Sequence, residues 1–100
     1  MTAIPALPPQ LTIHNVGDLR AEWLAALADD ATEGAVDVAA DRVVDVDAAG
    51  VQLLVSLSQS LARRARGMRL VEPSAGLAAA CAALGLSWLL ADSAAMEMPE

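Results

Sequence analysis

The sequence predicts an α/β domain in which a small sheet of about four to five strands has helices packed mainly on one face. Short β-branched or alternating runs, which are typical of strands, are interleaved with apolar residues at helical spacing. Glycine, proline or acidic residues separate these segments. Because 100 residues with 56% hydrophobic content suffice for one core, strands and helices that alternate in this way favour a layered α/β domain.

The first half of the chain contains three strand candidates and one helix. Leu11 and Ile13 alternate with polar neighbours, which predicts a strand with both residues facing the core. Apolar residues at helical spacing, Leu24 among them, predict an amphipathic helix that ends before an acidic cluster. In order, the predicted segments are an extended lead-in over 1–10, a strand from Leu11, a helix over 16–28, a strand over 35–39 and a strand over 43–46.

Two helices and two strands are predicted in the second half. Gly67 and Gly85 are expected to end the helices, and Ser74 to cap the start of the later one. In order, the segments are a helix over 48–66, a strand over 68–72, a helix from Ser74, a strand over 86–90 and a frayed acidic tail over 93–100. The predicted domain covers 11–92. Its predicted core includes Val38, Leu54, Leu61, Leu70 and Leu84.

An uncharged stretch of nineteen residues, 73–91, is long enough to be weighed as a membrane span. Alanine adds little insertion energy, Gly76, Gly85 and Ser87 interrupt the run, and its flanks are acidic. A helix, a glycine stop and a strand therefore fit this stretch better. Since the first ten residues also lack the basic start and apolar core of a secretory signal, we expect a cytoplasmic protein.

Charge and residue usage disfavour several kinds of site. A net charge of −7 with only two aromatic residues disfavours nucleic-acid binding, which needs a basic face and stacking. Four of the six arginines lie within 63–69, where they complement the end of the preceding helix; holding one anion is the alternative. Cys81 has no second cysteine to pair with and is expected to be a buried thiol. No metal site is expected at His14, the single histidine, which we predict on the surface.

The segment Val43–Leu54, VVDVDAAGVQLL, is the best candidate for a binding site. Asp47 can cap the free amides of the following helix, and two alanines leave that helix start open to close approach. Gly50 would expose backbone beside it, and Val51 would offer an apolar contact. The segment contains no nucleophile and too few carboxylates for a calcium loop, and the chain has no phosphate loop. Catalysis and a cofactor are therefore not expected.

The order strand, helix, strand, turn, long helix, strand, helix resembles the STAS domain, the family of bacterial anti-sigma-factor antagonists. The resemblance spans about Leu11 to Leu90 and is carried by VVDVDAAGVQLL, by GMRLVEPS after the second helix and by the ALGL segment. It implies a non-enzymatic module that docks on a regulatory or signalling protein, such as an anti-sigma factor or a kinase-like protein. The implied contact residues are Asp47, Ala48, Ala49, Gly50, Val51 and Gln52.

The resemblance also implies what this chain lacks. In phospho-regulated members an anti-sigma kinase phosphorylates the serine before the glycine of an Asp-Ser-Ser-Gly turn, and the matching residue is Ala49. Ala48 matches a threonine of other members, including the small STAS subunit of an Mla phospholipid-transport ATPase. We therefore expect no phosphate at this turn. The alternatives are an accessory subunit of such an ABC ATPase and a turn that only shapes the fold, and a switch at Ser56 or Ser58 stays open.

Overall fold

Strands and helices alternate along the chain in a computed structural model that describes residues 6–28 and 34–91. The elements are β1 (Gln10–Leu11), α1 (Val16–Ala28), β2 (Val36–Ala39), β3 (Asp45–Val46), α2 (Ala48–Ala62), β4 (Met68–Val71), α3 (Ala75–Ala83) and α4 (Trp88–Ala91). The predicted mixed α/β class is confirmed. The predicted tail over 93–100 lies outside the described residues.

The strands of the described part form two parallel pairs rather than one sheet of four to five strands. β1 pairs with β3, and β2 pairs with β4. A backbone hydrogen bond of 2.9 Å from the Leu7 N–H to the Ala39 carbonyl joins the lead-in to β2. Pro8 and Pro9 have no N–H to donate, so the segment between Leu7 and β1 cannot extend the ladder. The described strands number four, in two separate pairs, so the predicted single sheet is wrong.

The core lies where the helices meet the strands, and most predicted core residues lie in it. Val38, Leu54, Leu61 and Leu70 are buried, and so are Leu19, Trp23 and Leu27 along one face of α1. Leu84 is 44% exposed, which corrects its predicted place in the core. It follows the last residue of α3, and Gly85 at φ +73 then turns the chain away.

The segment 86–90 was predicted to be a strand, and that prediction is wrong. The Leu89 N–H donates to the Leu86 carbonyl and the Leu90 N–H to the Ser87 carbonyl, which starts the short helix α4. The stretch 73–91 therefore contains two helices of nine and four residues. Within the described residues, no helix is long and apolar enough to cross a membrane.

Helix α2 ends at Ala62, four residues before the predicted end. The Arg66 N–H donates to the Leu61 carbonyl and the Ala65 N–H to the Ala62 carbonyl, the two bonds of a Schellman motif. Ala65 takes the left-handed conformation at φ 58 that glycine usually supplies. The sequence suggested Gly67 as the stop, but the chain turns two residues earlier.

We expect Ala65→Gly to raise the free energy of unfolding by roughly 0.5–1 kcal/mol, because it removes a left-handed alanine. Thermal melting followed by circular dichroism measures the gain. The matched control is Ala62→Gly, an exposed residue in right-handed helix, which should instead lower stability by about 0.5–1 kcal/mol. Equal losses from both variants would contradict the prediction.

The arginines after α2 tie distant parts of the chain together. Arg64 donates to the Leu27 carbonyl in the last turn of α1, and Arg66 Nε donates to the Gly34 carbonyl at 2.7 Å. Arg69 Nε lies 2.7 Å from Asp37 Oδ1 on the neighbouring strand. These three side chains serve the fold, so a shared anion site is not needed to explain them.

Candidate functional site

Asp47 joins the start of α2 to a loop far away in sequence. Its Oδ1 accepts a hydrogen bond from the Gly50 N–H at 3.0 Å, which confirms the predicted N-cap. Its Oδ2 accepts a second from the Ile13 N–H, also at 3.0 Å. One carboxylate therefore holds the residues after β1 against the first turn of α2.

Gly50 is buried, which corrects the expectation that it exposes backbone to a partner. A Cβ at this position would lie 2.0 Å from the Leu11 carbonyl oxygen and 2.9 Å from Leu11 Cγ. Glycine is required because β1 itself makes the close approach to α2. The small residue predicted for a partner serves the chain's own packing.

Val51 is also fully buried, which corrects its predicted role as an exposed contact. It lies three residues before Leu54 and so shares the inward stripe of α2 with that core residue. The surface part of the predicted contact set is reduced to Asp47, Ala48, Ala49 and Gln52. Of these, Ala48 and Gln52 are exposed and the other two are half-buried.

Ile13 is the exposed apolar side chain of this region, where the sequence had predicted Val51 to be exposed. It is 63% exposed beside the Asp47 carboxylate, although alternation predicted it to face the core. β1 ends at Leu11, and the Thr12 N–H then donates to Asn15 Oδ1 at 2.9 Å, which turns the chain into α1. The signal that was missed is this asparagine just before the helix, which favours a turn over strand. His14 is exposed, as predicted.

We call Ile13, Asp47, Ala48, Ala49 and Gln52 together the turn surface. It presents one large apolar side chain, one carboxylate and a helix start with little side-chain bulk. None of its side chains carries a hydroxyl, thiol or amine nucleophile. Within the described residues, no three histidine, cysteine or acidic side chains are grouped as metal ligands. Such a surface is suited to contact with another macromolecule.

The pKa of Asp47 lies below its ordinary value of 3.8, first because of the hydrogen bond from the Ile13 N–H and then because of that from Gly50. Since the folded pKa is lowered, the stabilisation by the charged carboxylate is complete well above pH 3.8 and is lost as the pH falls through the folded pKa. At neutral pH we expect Asp47→Ala to lower the melting temperature by several degrees.

The difference in melting temperature between wild type and Asp47→Ala should shrink as the pH is lowered from about 6 to below the folded pKa. Asp47→Asn is the control, because asparagine can cap the helix without a titrating charge. If the difference in melting temperature between wild type and Asp47→Ala stayed constant down to acid pH, the charge of Asp47 would contribute nothing to stability.

No family model matches this chain, and neither a curated protein nor a solved structure is similar to it at a significant level. The geometry of the turn surface is therefore the basis for a functional proposal.

Proposed function

We propose that this protein is a non-enzymatic binding module of the STAS type that docks on a regulatory or signalling protein through the turn surface. The observation that carries the proposal is Ile13. A β-branched apolar residue that is 63% exposed adds nothing evident to the core, yet the Asp47 carboxylate holds its backbone against α2. A large apolar side chain held in place by its backbone can contribute buried apolar area at an interface.

The small residues beside Ile13 support docking by close backbone approach. Ala48 is exposed and Ala49 half-buried in the first turn of α2, so a partner can reach the helix start. Both positions lack the hydroxyl on which a phosphate switch at this turn would depend. The proposed module therefore binds without phosphate control at the turn and needs neither metal nor cofactor.

The test begins by identifying the partner. The photocrosslinker p-benzoylphenylalanine, placed at the exposed Gln52, marks the protein that contacts the turn surface in the cells that make this chain. A kinase-like regulator supports the first reading, and an ABC ATPase subunit supports the alternative. If no protein is captured at this position, the proposed function is wrong.

We expect Ile13→Ser to lower the affinity for the purified partner about tenfold or more, a change of about 1.4 kcal/mol. Serine is preferred to aspartate because a new carboxylate beside Asp47 would repel it. The matched control is Leu84→Ser, which changes an exposed leucine outside the turn surface. Isothermal titration calorimetry measures both, and equal affinity of the Ile13 variant and wild type would remove this residue from the interface.

A further inference from the structure

The outer edge of β1 is closed by a side chain. The Leu11 carbonyl accepts a hydrogen bond from the Asp47 N–H, so the backbone of Leu11 faces β3. Successive residues of a parallel strand direct their backbone groups to opposite edges. The backbone groups of Gln10 and Thr12, on either side of Leu11, therefore point away from β3. Among the described strands, none pairs with β1 at that outer edge.

The carboxamide of Asn15 pairs with this edge. Its Nδ2 donates to the Gln10 carbonyl at 2.6 Å, and its Oδ1 accepts from the Thr12 N–H at 2.9 Å. A carboxamide offers a donor and an acceptor in one plane, as a peptide group of a neighbouring strand would. Asn15 therefore fixes the backbone that leads directly into Ile13.

Asn15 directly precedes α1, where an asparagine side chain usually accepts an N–H from the first helical turn. Within the described part of the chain, its side chain bonds to Gln10 and Thr12 instead. The Leu19 N–H donates to the backbone carbonyl of Asn15. An asparagine needed only to start α1 would cap it, so the orientation of this side chain points to a role in the loop before the helix.

The loop 12–14 is held by side chains at each of its backbone N–H groups. Those of Thr12, Ile13 and His14 donate, in that order, to Asn15 Oδ1, Asp47 Oδ2 and Thr12 Oγ1. The side chain of Ile13 is nevertheless 63% exposed. An exposed contact residue whose backbone is ordered before binding loses less conformational entropy when a partner covers it.

We propose that Asn15 is a positioning residue of the turn surface, which orders the loop 12–14 so that Ile13 is preorganised for docking. The inference deepens the proposed function and rests on it. Asn15 acts through Ile13 and needs no contact of its own with the partner. Because the loop is ordered before a partner arrives, this ordering is measurable in the free protein.

The first test compares Asn15→Ala with wild type in the absence of a partner. NMR relaxation should give backbone order parameters of about 0.85 at Ile13 and His14 in wild type and below about 0.6 in the variant. The matched control is Gln10→Ala, which removes an exposed carboxamide from the same region and should keep the wild-type values. Unchanged order parameters in Asn15→Ala overturn the inference.

Asn15→Asp provides a second variant if Asn15→Ala does not fold. It keeps an acceptor for the Thr12 N–H and loses only the donor to the Gln10 carbonyl, so the order parameter of Ile13 should fall by less than in a full truncation. A value equal to that of wild type would show that the bond to Gln10 orders nothing, and the inference would be wrong.

The final test uses the partner captured at Gln52. Asn15→Ala should lower its affinity about fivefold, because the loop must then be ordered on binding. In an Ile13→Ser background the same substitution should have little further effect, since its effect passes through the Ile13 side chain. Equal losses in both backgrounds overturn the inference and leave the proposed function standing. If Gln52 captures no partner, the proposed function fails, and the docking role of Asn15 fails with it.

Discussion

Val51→Asp should abolish the cooperative thermal transition of this protein. The Val51 side chain is fully buried on the inward stripe of α2 and belongs to the hydrophobic core. An unpaired carboxylate in that position costs roughly 3–5 kcal/mol, a large part of the stability of a domain of this size. Circular dichroism melts measure the loss.

The control for Val51→Asp is Ile13→Ser, which changes an exposed apolar residue of the same turn region and should melt within a few degrees of wild type. A cooperative transition of nearly unchanged midpoint in Val51→Asp would mean that residue 51 faces solvent. Val51 would then belong to the docking surface that the sequence suggested, and Ile13 would not be needed as its apolar residue.

The features that the sequence predicted well depend on residues close together in the chain. The bounds of α1 were predicted at 16–28 and are Val16–Ala28. The caps at Asp47 and Ser74 follow from side chains that bond to an N–H three residues later. Periodicity also placed Leu54 and Leu61 in the core, because a regular helix keeps one face inward.

The features that the sequence missed are decided by distant contacts. Asp47 accepts a hydrogen bond from the N–H of Ile13, which is 34 positions away in the sequence. The space beside Gly50 is filled by the Leu11 carbonyl. A local pattern contains neither partner. An apolar residue is also not necessarily buried, because apolar atoms make up much of the surface of a folded protein. Leu24 and Leu84 are exposed examples.

Short apolar runs are ambiguous for a related reason. The segment 86–90 has the composition of a strand and the length of one, but it follows directly on the Gly85 turn, where the Leu86 N–H donates to the Cys81 carbonyl. This local turn starts α4 before the chain can extend. Periodicity over five residues cannot distinguish the two outcomes.

Gly50→Ala should be among the most damaging single-methyl additions in this chain. The new Cβ would lie 2.0 Å from the Leu11 carbonyl oxygen and 2.7 Å from its carbon. Both atoms belong to the backbone of β1, so no rotamer change relieves the contact, and either β1 or the start of α2 must move. We expect a loss of about 3 kcal/mol or more in the free energy of unfolding, measured by urea denaturation.

The damage from Gly50→Ala should extend to binding, because displacing β1 from α2 also separates Ile13 from the Asp47 carboxylate. Gly17→Ala is the matched control: it adds the same methyl group inside α1, where nothing lies within 4 Å. Alanine is the better helix former, so this variant should be neutral or more stable by up to about 1 kcal/mol. Equal urea midpoints for the two variants would show that β1 does not pack on α2 at Gly50, and the turn surface would then lack the support that positions Ile13.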